Sequence, residues 1–415
     1  MILRYLFAAC LLSTSMVSAQ ETWPKFRGPQ GNGHAAPESN PPTTWSTSKN
    51  IRWRVDTPGQ GWSSPVIAGN KIFLSAAIPT SEDEKSDFNL CLLIYNADDG
   101  KLIRNVTLMQ QRASKTPRIH KKNTHASPTP IINNDRVYVH FGYQGTACTD
   151  LDGNKLWENR DLFFKPTHGN GGSPVLVDGR LVFTCDGGEE PKVVALDAAT
   201  GKLAWETPRP LETKKTFSFC TPAVITVDGQ KQVIAPGSDC VLALNPADGK
   251  TIWDVRYTGY SVVPKPIFAD NRVYVSTSFD NAKLLAIRPN GTGIVTDTHV
   301  DWIIDRNISK TPSLIAHAGL IYSVSDNGIA QCAEAKTGDV VYKQRLGGGF
   351  SASPFIARDR IYFTDEAGKT TVVKAGREYK ELASNDLGER TLASAALLGN
   401  SIILRTDKAL YRIAE

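Results

Sequence analysis

Apolar and polar positions alternate in short runs along most of the chain, and these runs recur in a fixed order. Each run opens with Ser-Pro, Thr-Pro or a close variant and continues a few residues later into an alternating β-branched and aromatic segment. In the third copy, Ser173-Pro174 leads into the alternating residues 180–183. Alternation with a period of two predicts strands with one buried face, and regular recurrence predicts a repeat architecture.

The spacing of these openings defines the repeat unit. From Pro130 onward, the openings follow one another at steps of 44, 48, 44, 46, 42 and 41 residues. The second half of a unit holds another apolar strand, a polar turn with glycine, and a last strand that often carries tryptophan. Turns of this kind between alternating runs are hairpin signals. Each unit therefore predicts four short antiparallel strands, A to D, which is one blade of a β-propeller.

The count of units predicts eight blades. Eight units begin, but the last one ends after three strands, and residues 51–55 around Trp53 supply a strand of the missing type near the N-terminus. Pairing the two terminal strands in one blade would close the ring and remove both exposed sheet edges. The fold class is therefore an all-β, eight-bladed β-propeller of four-stranded blades. Seven blades remain an alternative, because Ser394-Ala395 lacks the proline of the other units.

The N-terminal residues carry the features of an export signal. Arg4 precedes an apolar stretch, and Val17-Ser18-Ala19 resembles a cleavage site, so residues 1–19 are predicted to be a signal peptide. Residues 20–50 then form an N-terminal arm and residues 51–415 a single propeller domain. No apolar run is long enough to predict a transmembrane segment. We expect a periplasmic or secreted protein; a lipoprotein modified at Cys10 is the alternative.

Charge and cysteine content exclude several classes of function. The 47 Lys and Arg nearly balance 42 Asp and Glu, so nucleic acid is not expected as a partner. No C-x-x-C motif is present, and no metal site is predicted. Six cysteines follow the signal peptide, and an exported protein can form disulfides. A disulfide among Cys185, Cys220 and Cys240 is one such pairing.

The second half of the repeat resembles that of a known family. The Ala-x-Asp-x-x-Thr-Gly-x-x-x-Trp pattern that ends at Trp205 is similar to the tryptophan-docking repeat of pyrroloquinoline quinone (PQQ) propellers, the family of quinoprotein alcohol dehydrogenases and BamB. The resemblance covers nearly all of the chain after the arm. It implies that the tryptophan of one blade packs on the turn of its neighbour. The residues that carry this docking pattern are Trp53, Asp150, Trp157, Asp197, Gly201, Trp205, Asn245, Gly249 and Trp253.

The resemblance implies a fold more strongly than a cofactor. Quinoprotein dehydrogenases of this family hold PQQ with a vicinal cysteine pair, a calcium ion bound by Glu and Asn, and an Asp base. This chain has no adjacent cysteines and no local motif that matches the calcium ligands. We therefore expect an exported, non-catalytic propeller, with no cofactor and no catalytic residue, that binds an envelope protein or an extracellular polymer as a monomer. The alternative is a PQQ- and calcium-dependent dehydrogenase that oxidises an alcohol or a sugar.

Propeller topology predicts where a ligand would bind. The D-to-A and B-to-C loops of all blades lie on the same face, around the mouth of the central tunnel, and loops carry most propeller functions. The polar and aromatic residues assigned to these loops form the candidate ligand face. They are Trp62, His125, His168, Asn170, Phe217, Phe219, Tyr260, Lys265, Lys310, Phe350 and Arg390.

Overall fold

The protein is described here from a computed structural model. The structure describes residues 23–83, 86–115, 119–162, 164–188, 190–210, 214–277 and 279–415. The predicted signal peptide lies outside these ranges. The strands of the described residues form eight separate sheets, each built from four antiparallel strands, and one sheet carries a short fifth strand that pairs in parallel. The predicted eight-bladed all-β propeller is therefore confirmed.

Blades 1 to 4 follow the chain order. In each blade, strand A lies innermost and strand D lies at the outer edge, so the sheet order repeats the sequence order. The strands A to D are Val66–Ala68, Lys71–Pro79, Phe88–Asn96 and Leu102–Gln111 in blade 1; Ile131–Asn133, Arg136–His140, Thr146–Asp150 and Lys155–Asn159 in blade 2; Val175–Val177, Arg180–Cys185, Lys192–Asp197 and Leu203–Pro208 in blade 3; and Ala223–Val227, Gln230–Pro236, Cys240–Leu244 and Thr251–Arg256 in blade 4.

Blades 5 to 7 continue this order. Blade 5 differs in its C-to-D connection, which contains the short helix Thr296–His299 and a two-residue strand, Gly293–Ile294, that pairs in parallel with strand D of blade 4. The strands A to D are Ile267–Ala269, Arg272–Ser276, Leu284–Ile287 and Val300–Ile304 in blade 5; Ile315–His317, Leu320–Val324, Ile329–Glu334 and Val340–Arg345 in blade 6; and Phe355–Ala357, Arg360–Thr364, Lys369–Lys374 and Glu381–Asp386 in blade 7. Two short 3-10 helices, Ala113–Lys115 and Gly142–Gln144, lie in loops of blades 1 and 2.

Blade 8 joins the two ends of the chain. Its strands A to C are Ala396–Leu398, Ser401–Arg405 and Ala409–Ile413, and its outer strand is the N-terminal segment Ile51–Asp56. The outer strand runs antiparallel to Ala409–Ile413. The blade therefore has the composition predicted from the incomplete last repeat, and the ring leaves no radial gap between its first and last blades.

Tryptophans in outer strands pack on the glycine turn of the following blade. A Cβ atom placed on Gly249 would lie 2.6 Å from the Trp205 ring, so only glycine permits the ring to approach this closely. Each indole N–H also donates to a backbone carbonyl in the same neighbouring turn. The donor and acceptor residues are Trp53 and Ala97 (3.0 Å), Trp157 and Ala198 (3.1 Å), Trp205 and Pro246 (3.0 Å), and Trp302 and Ala335 (3.1 Å).

Trp253 departs from the docking pattern expected for its position. Its indole N–H donates to the Gln232 side-chain carbonyl of the same blade at 2.9 Å, and the Gln232 amide in turn donates to the Pro289 carbonyl of blade 5 at 3.2 Å. The C-to-D connection of blade 5 has a longer, different path from the glycine turns of the other blades. Gln232 therefore links Trp253 to the next blade, whereas the indoles of the other docking tryptophans donate to the next blade directly.

The Ser-Pro and Thr-Pro openings also connect neighbouring blades. At these positions a backbone N–H donates to the side-chain hydroxyl at the matching position of the next blade, around the wall of the tunnel. Lys265 takes this position in blade 5 and has no hydroxyl, so the contacts form two arcs. They run from Ser64 to Thr129, Thr129 to Ser173 and Ser173 to Thr221, and from Lys265 to Ser313, Ser313 to Ser353 and Ser353 to Ser394, with distances of 2.8–3.0 Å.

The N-terminal arm closes the tunnel on the face of the A-to-B turns. Trp23 exchanges backbone hydrogen bonds with Ile67 in blade 1, and the Gly33 carbonyl accepts one from Ile356 in blade 7. The arm thus crosses the centre of the ring, and Phe26 lines the bottom of a tunnel cavity of about 110 Å³. The tunnel is consequently blind, and only the opposite face offers an entrance.

Replacing Gly249 with alanine tests the docking contact. Gly249 has φ +72°, so alanine would strain the backbone and would also meet the Trp205 ring. Gly229 is a matched control, because it has φ +79° in the same blade and nothing lies near its missing Cβ atom. We expect Gly229→Ala to cost about 1–2 kcal/mol of unfolding free energy from backbone strain alone. Gly249→Ala should cost at least about 2 kcal/mol more, because the ring must move. Equal losses in denaturant unfolding would contradict this account.

Candidate functional site

A cleft of about 1000 Å³ lies on the open face of the ring, beside the tunnel mouth. We call it the loop cleft, because the D-to-A and B-to-C loops of blades 2 to 6 border it. Its lining combines aromatic rings with charged, amide and hydroxyl side chains. The lining residues used below are His120, His168, Phe217, Phe219, Tyr260, Phe279, Lys310 and Asp326.

One wall of the loop cleft is a row of aromatic rings centred on Phe217. The Phe217 ring meets the edges of His168 and Tyr260, each with ring centroids 5.4 Å apart. His120 extends the row, 5.8 Å beyond His168. The Tyr260 hydroxyl donates to the Asp280 carboxylate at 2.6 Å. Edge-to-face packing of this kind fixes ring orientation, so the wall offers a defined apolar surface.

A buried ion pair supports the loop that carries this wall. The Asp186 and Arg209 side chains have no exposed surface and join through two contacts, at 2.6 and 3.0 Å. The Ser218 hydroxyl, between Phe217 and Phe219 in the sequence, donates to the same carboxylate. Burial raises the pKa of Asp186 even though Arg209 opposes the shift. The ion pair therefore anchors the aromatic loop from beneath.

The opposite wall is formed by blades 5 and 6. Phe279 is 54% exposed, and the Lys310 ammonium lies 4.9 Å from the centre of its ring. The Asp326 carboxylate accepts hydrogen bonds from the backbone N–H groups of Lys310 and Thr311, at 2.7 and 3.2 Å. These contacts hold the Lys310 loop in place, and Lys310 and Phe279, from two different loops, both face the cleft. A ligand segment here would meet one apolar and one cationic surface.

Five of the eleven residues predicted for the ligand face line the loop cleft. They are His168, Phe217, Phe219, Tyr260 and Lys310. Trp62 lines the tunnel cavity instead, and the guanidinium of Arg390 lies 5.1 Å from the centre of its ring. The Asn170 side-chain nitrogen donates to the Phe141 carbonyl at 3.5 Å.

Three of the predicted residues are buried away from the cleft. His125 packs on Phe88 with ring centroids 4.8 Å apart, and burial lowers the pKa of its imidazole. Phe350 is 2% exposed and belongs to the apolar core between blades 6 and 7. Lys265 points to the closed end of the tunnel, beside Gly31 of the N-terminal arm. The candidate ligand face is thus smaller than the loop assignment predicted.

The cysteines do not form the pairing considered from the sequence. Cys185, Cys220 and Cys240 are free, buried thiols in the structure, as are Cys91, Cys148 and Cys332. The Cys220 thiol donates to the Pro264 carbonyl at 3.1 Å, which occupies it in a hydrogen bond. Burial raises the pKa values of Cys185 and Cys220 far above their usual range, so neither thiol ionises at neutral pH.

The loop cleft shows no clustered set of acidic, histidine and cysteine side chains in the part of the chain that the structure describes. Among the described residues, no three or more His, Cys, Asp or Glu side chains gather to hold a metal ion. Asp326 already accepts the backbone hydrogen bonds described above, and no two cysteines are adjacent in the sequence. The cleft offers instead apolar rings, an accessible lysine and peptide-like polar groups, which is the chemistry of non-covalent recognition.

Phe279 and Asp326 also line the cleft but were not assigned to the ligand face from the sequence. Phe279 follows strand B of blade 5 in a polar loop, where an exposed ring has no structural reason in the repeat. Asp326 gave no such signal, since its role depends on hydrogen bonds to a different loop.

The fold and the one-sided cleft define a PQQ-like β-propeller, and the comparisons with known proteins agree. A sequence model of the family described as "Outer membrane protein assembly factor BamB" matches residues 86–205, 151–300 and 297–409. The chain belongs to this family. The outer membrane protein assembly factor BamB of Yersinia pestis is 21% identical over 282 residues, 54% of this chain and 69% of that protein.

Solved structures show the same architecture. BamB from Moraxella catarrhalis superposes with a TM-score of 0.59 at 12% identity, over 88% of this chain and 97% of that one. A europium-containing methanol dehydrogenase gives a TM-score of 0.66 at 11% identity, over 92% and 89%. At such identities the likeness concerns the fold alone. None of the helices in the described part of the chain is long and apolar enough to cross a membrane.

Replacing Asp186 with asparagine tests the support of the aromatic wall. The change leaves the Arg209 charge buried and weakens the Ser218 contact, so we expect a loss of about 3–5 kcal/mol in unfolding free energy. Hydrogen exchange of the amides around Phe217 should rise more than that of blade 7. The control is Asp178→Asn, which breaks a half-exposed ion pair with Lys231 and should cost less than about 1 kcal/mol. Unchanged exchange around Phe217 would show that Asp186 does not hold the loop.

Proposed function

We propose that the protein is an exported, non-catalytic propeller that binds a segment of a cell-envelope protein in the loop cleft. The observation that carries this proposal is the one-sided geometry. A broad aromatic cleft lies on one face, while the N-terminal arm seals the other end of the tunnel. A blind tunnel of about 110 Å³ leaves the cleft as the accessible recognition surface.

The composition of the cleft favours a protein segment as the ligand. Aromatic side chains with fixed orientation are the residues that contribute most to protein interfaces. Phe279 is exposed and unfilled space lies beside it, so covering its ring with an apolar partner side chain would contribute about 1.5–3 kcal/mol. Lys310 and Asp326 at the rim offer charge and hydrogen bonding, which provide specificity more than affinity.

Family membership supports the same assignment. The family is described as an outer membrane assembly factor, and the sequence carries a predicted signal peptide at residues 1–19. Both features support a partner in the cell envelope. An extracellular polymer bound in the same cleft would be a different outcome, which the experiment below distinguishes.

Site-specific photo-crosslinking tests the proposal. A benzoyl-phenylalanine at position 279, inside the cleft, should capture a discrete protein adduct in intact cells of the native host. Position 203 is the matched control, because Leu203 is 49% exposed on the outer edge of blade 3, against 54% for Phe279. The captured protein, purified and added back, should bind Phe217→Ala at least tenfold more weakly than it binds Leu203→Ala.

Three results would contradict the proposal. The first is the same adducts at positions 279 and 203, which would indicate contact without recognition. The second is an adduct with carbohydrate rather than protein, which would assign the cleft to a polymer. The third is retention of PQQ with calcium through gel filtration together with reduction of a dye by an alcohol or a sugar, which would establish the dehydrogenase alternative.

A further inference from the structure

The closed end of the tunnel holds a buried guanidinium with unsatisfied donors. Arg27 of the N-terminal arm is 2% exposed. Its Nη2 donates to the carbonyls of Leu314 and Asn32, at 2.6 and 2.8 Å. Its Nε and Nη1 have no hydrogen-bond partner among the described residues. Three N–H groups of a cation thus point into the protein without an acceptor, which is costly unless another group is bound there.

A second buried cation lies against the same loop. Lys265 is 5% exposed, and a Cβ atom on Gly31 would lie 2.4 Å from its ammonium nitrogen. A Cβ atom on Gly33 would lie 2.6 Å from the Arg27 Nη2. Glycines at positions 31 and 33 therefore leave room for the two cationic groups. The loop of residues 28–33 therefore packs against both charges.

No carboxylate of the described residues neutralises these charges. The ion pairs found there include neither Arg27 nor Lys265. The pKa of Lys265 is lowered to about 7, chiefly by burial and also by the neighbouring charges of Lys25 and Arg27, while the Cys220 thiol acts in the other direction. Burial alone lowers the pKa of Arg27 to about 9, so its guanidinium stays charged at neutral pH.

We propose that a small inorganic anion of the chloride or phosphate class binds beside the Arg27 guanidinium, with Lys265 as its second cationic neighbour. Such an anion would accept the free Nε and Nη1 hydrogens and balance the buried charge. The tunnel cavity provides access, because Ser313 both lines that cavity and accepts the hydrogen bond from the Lys265 backbone. The anion would join the N-terminal arm to blade 5 and would act separately from the loop cleft.

Thermal unfolding at constant ionic strength tests the proposal. Chloride or phosphate replaces gluconate, which is too large for the buried position. A ligand that binds only the folded protein raises Tm with the logarithm of its concentration, here by about 2 °C for each tenfold increase above Kd. The chloride and phosphate series distinguish the two anions. Lys265→Met should abolish the rise, whereas the exposed control Lys374→Met should keep it.

The pH dependence gives a second readout. In gluconate, the lowered pKa of Lys265 means that the unfolded chain binds more protons between pH 7 and 9, so stability should rise with pH across this window. A bound anion favours the ammonium and should flatten this rise. Lys265→Met should show neither the rise in gluconate nor its flattening in chloride.

Bromide-soaked crystals of the unaltered protein give a readout that does not depend on a variant folding. An anomalous peak within hydrogen-bond distance of Arg27 Nε or Nη1 would support the site. Water at that position in saturating bromide would overturn the proposal. Equal Tm series for the unaltered protein and Lys265→Met, or no dependence on either anion, would overturn it as well.

Discussion

Contacts between a side chain of one blade and the backbone of its neighbour hold this ring together. On the outside, an indole of one blade lies on a glycine turn of the next, as Trp205 does on Gly249. At the tunnel wall, a backbone N–H of one blade donates to a hydroxyl of the next, as Thr129 does to Ser173. Because neither contact depends on the identity of the loops, the loops remain free to carry function while the blades stay fixed.

This contrast between fixed blades and variable loops also explains how much of the structure could be predicted from the sequence. The period of the Ser/Thr-Pro openings and the tryptophan turns predicted eight blades, and Trp53 predicted the strand that closes the last one. These features are local patterns with a direct structural cause. The docking of Trp253 through Gln232 was not predicted, because it depends on the path of the next blade rather than on its own segment.

The candidate site was harder to predict, for a physical reason. The position of a residue within the repeat predicts whether it lies in a loop or at the tunnel wall. It does not show which other residues fill the space beside it. Lys265 stands at the position of a tunnel-facing serine, and the arm from residue 23 onward occupies the space in front of it. Phe350 and His125 lie in the expected loops, yet their side chains turn into the core, where burial of a large ring is favourable.

The pairing of Ile51–Asp56 with Ala409–Ile413 also constrains how the protein folds. The strand that completes blade 8 is synthesised early, but its partner strand is synthesised only after the seven other blades. Until then the first and last blades each present an open edge, and contacts between such distant segments form slowly. The newly made chain therefore passes through a period in which an unpaired strand is exposed to neighbouring proteins.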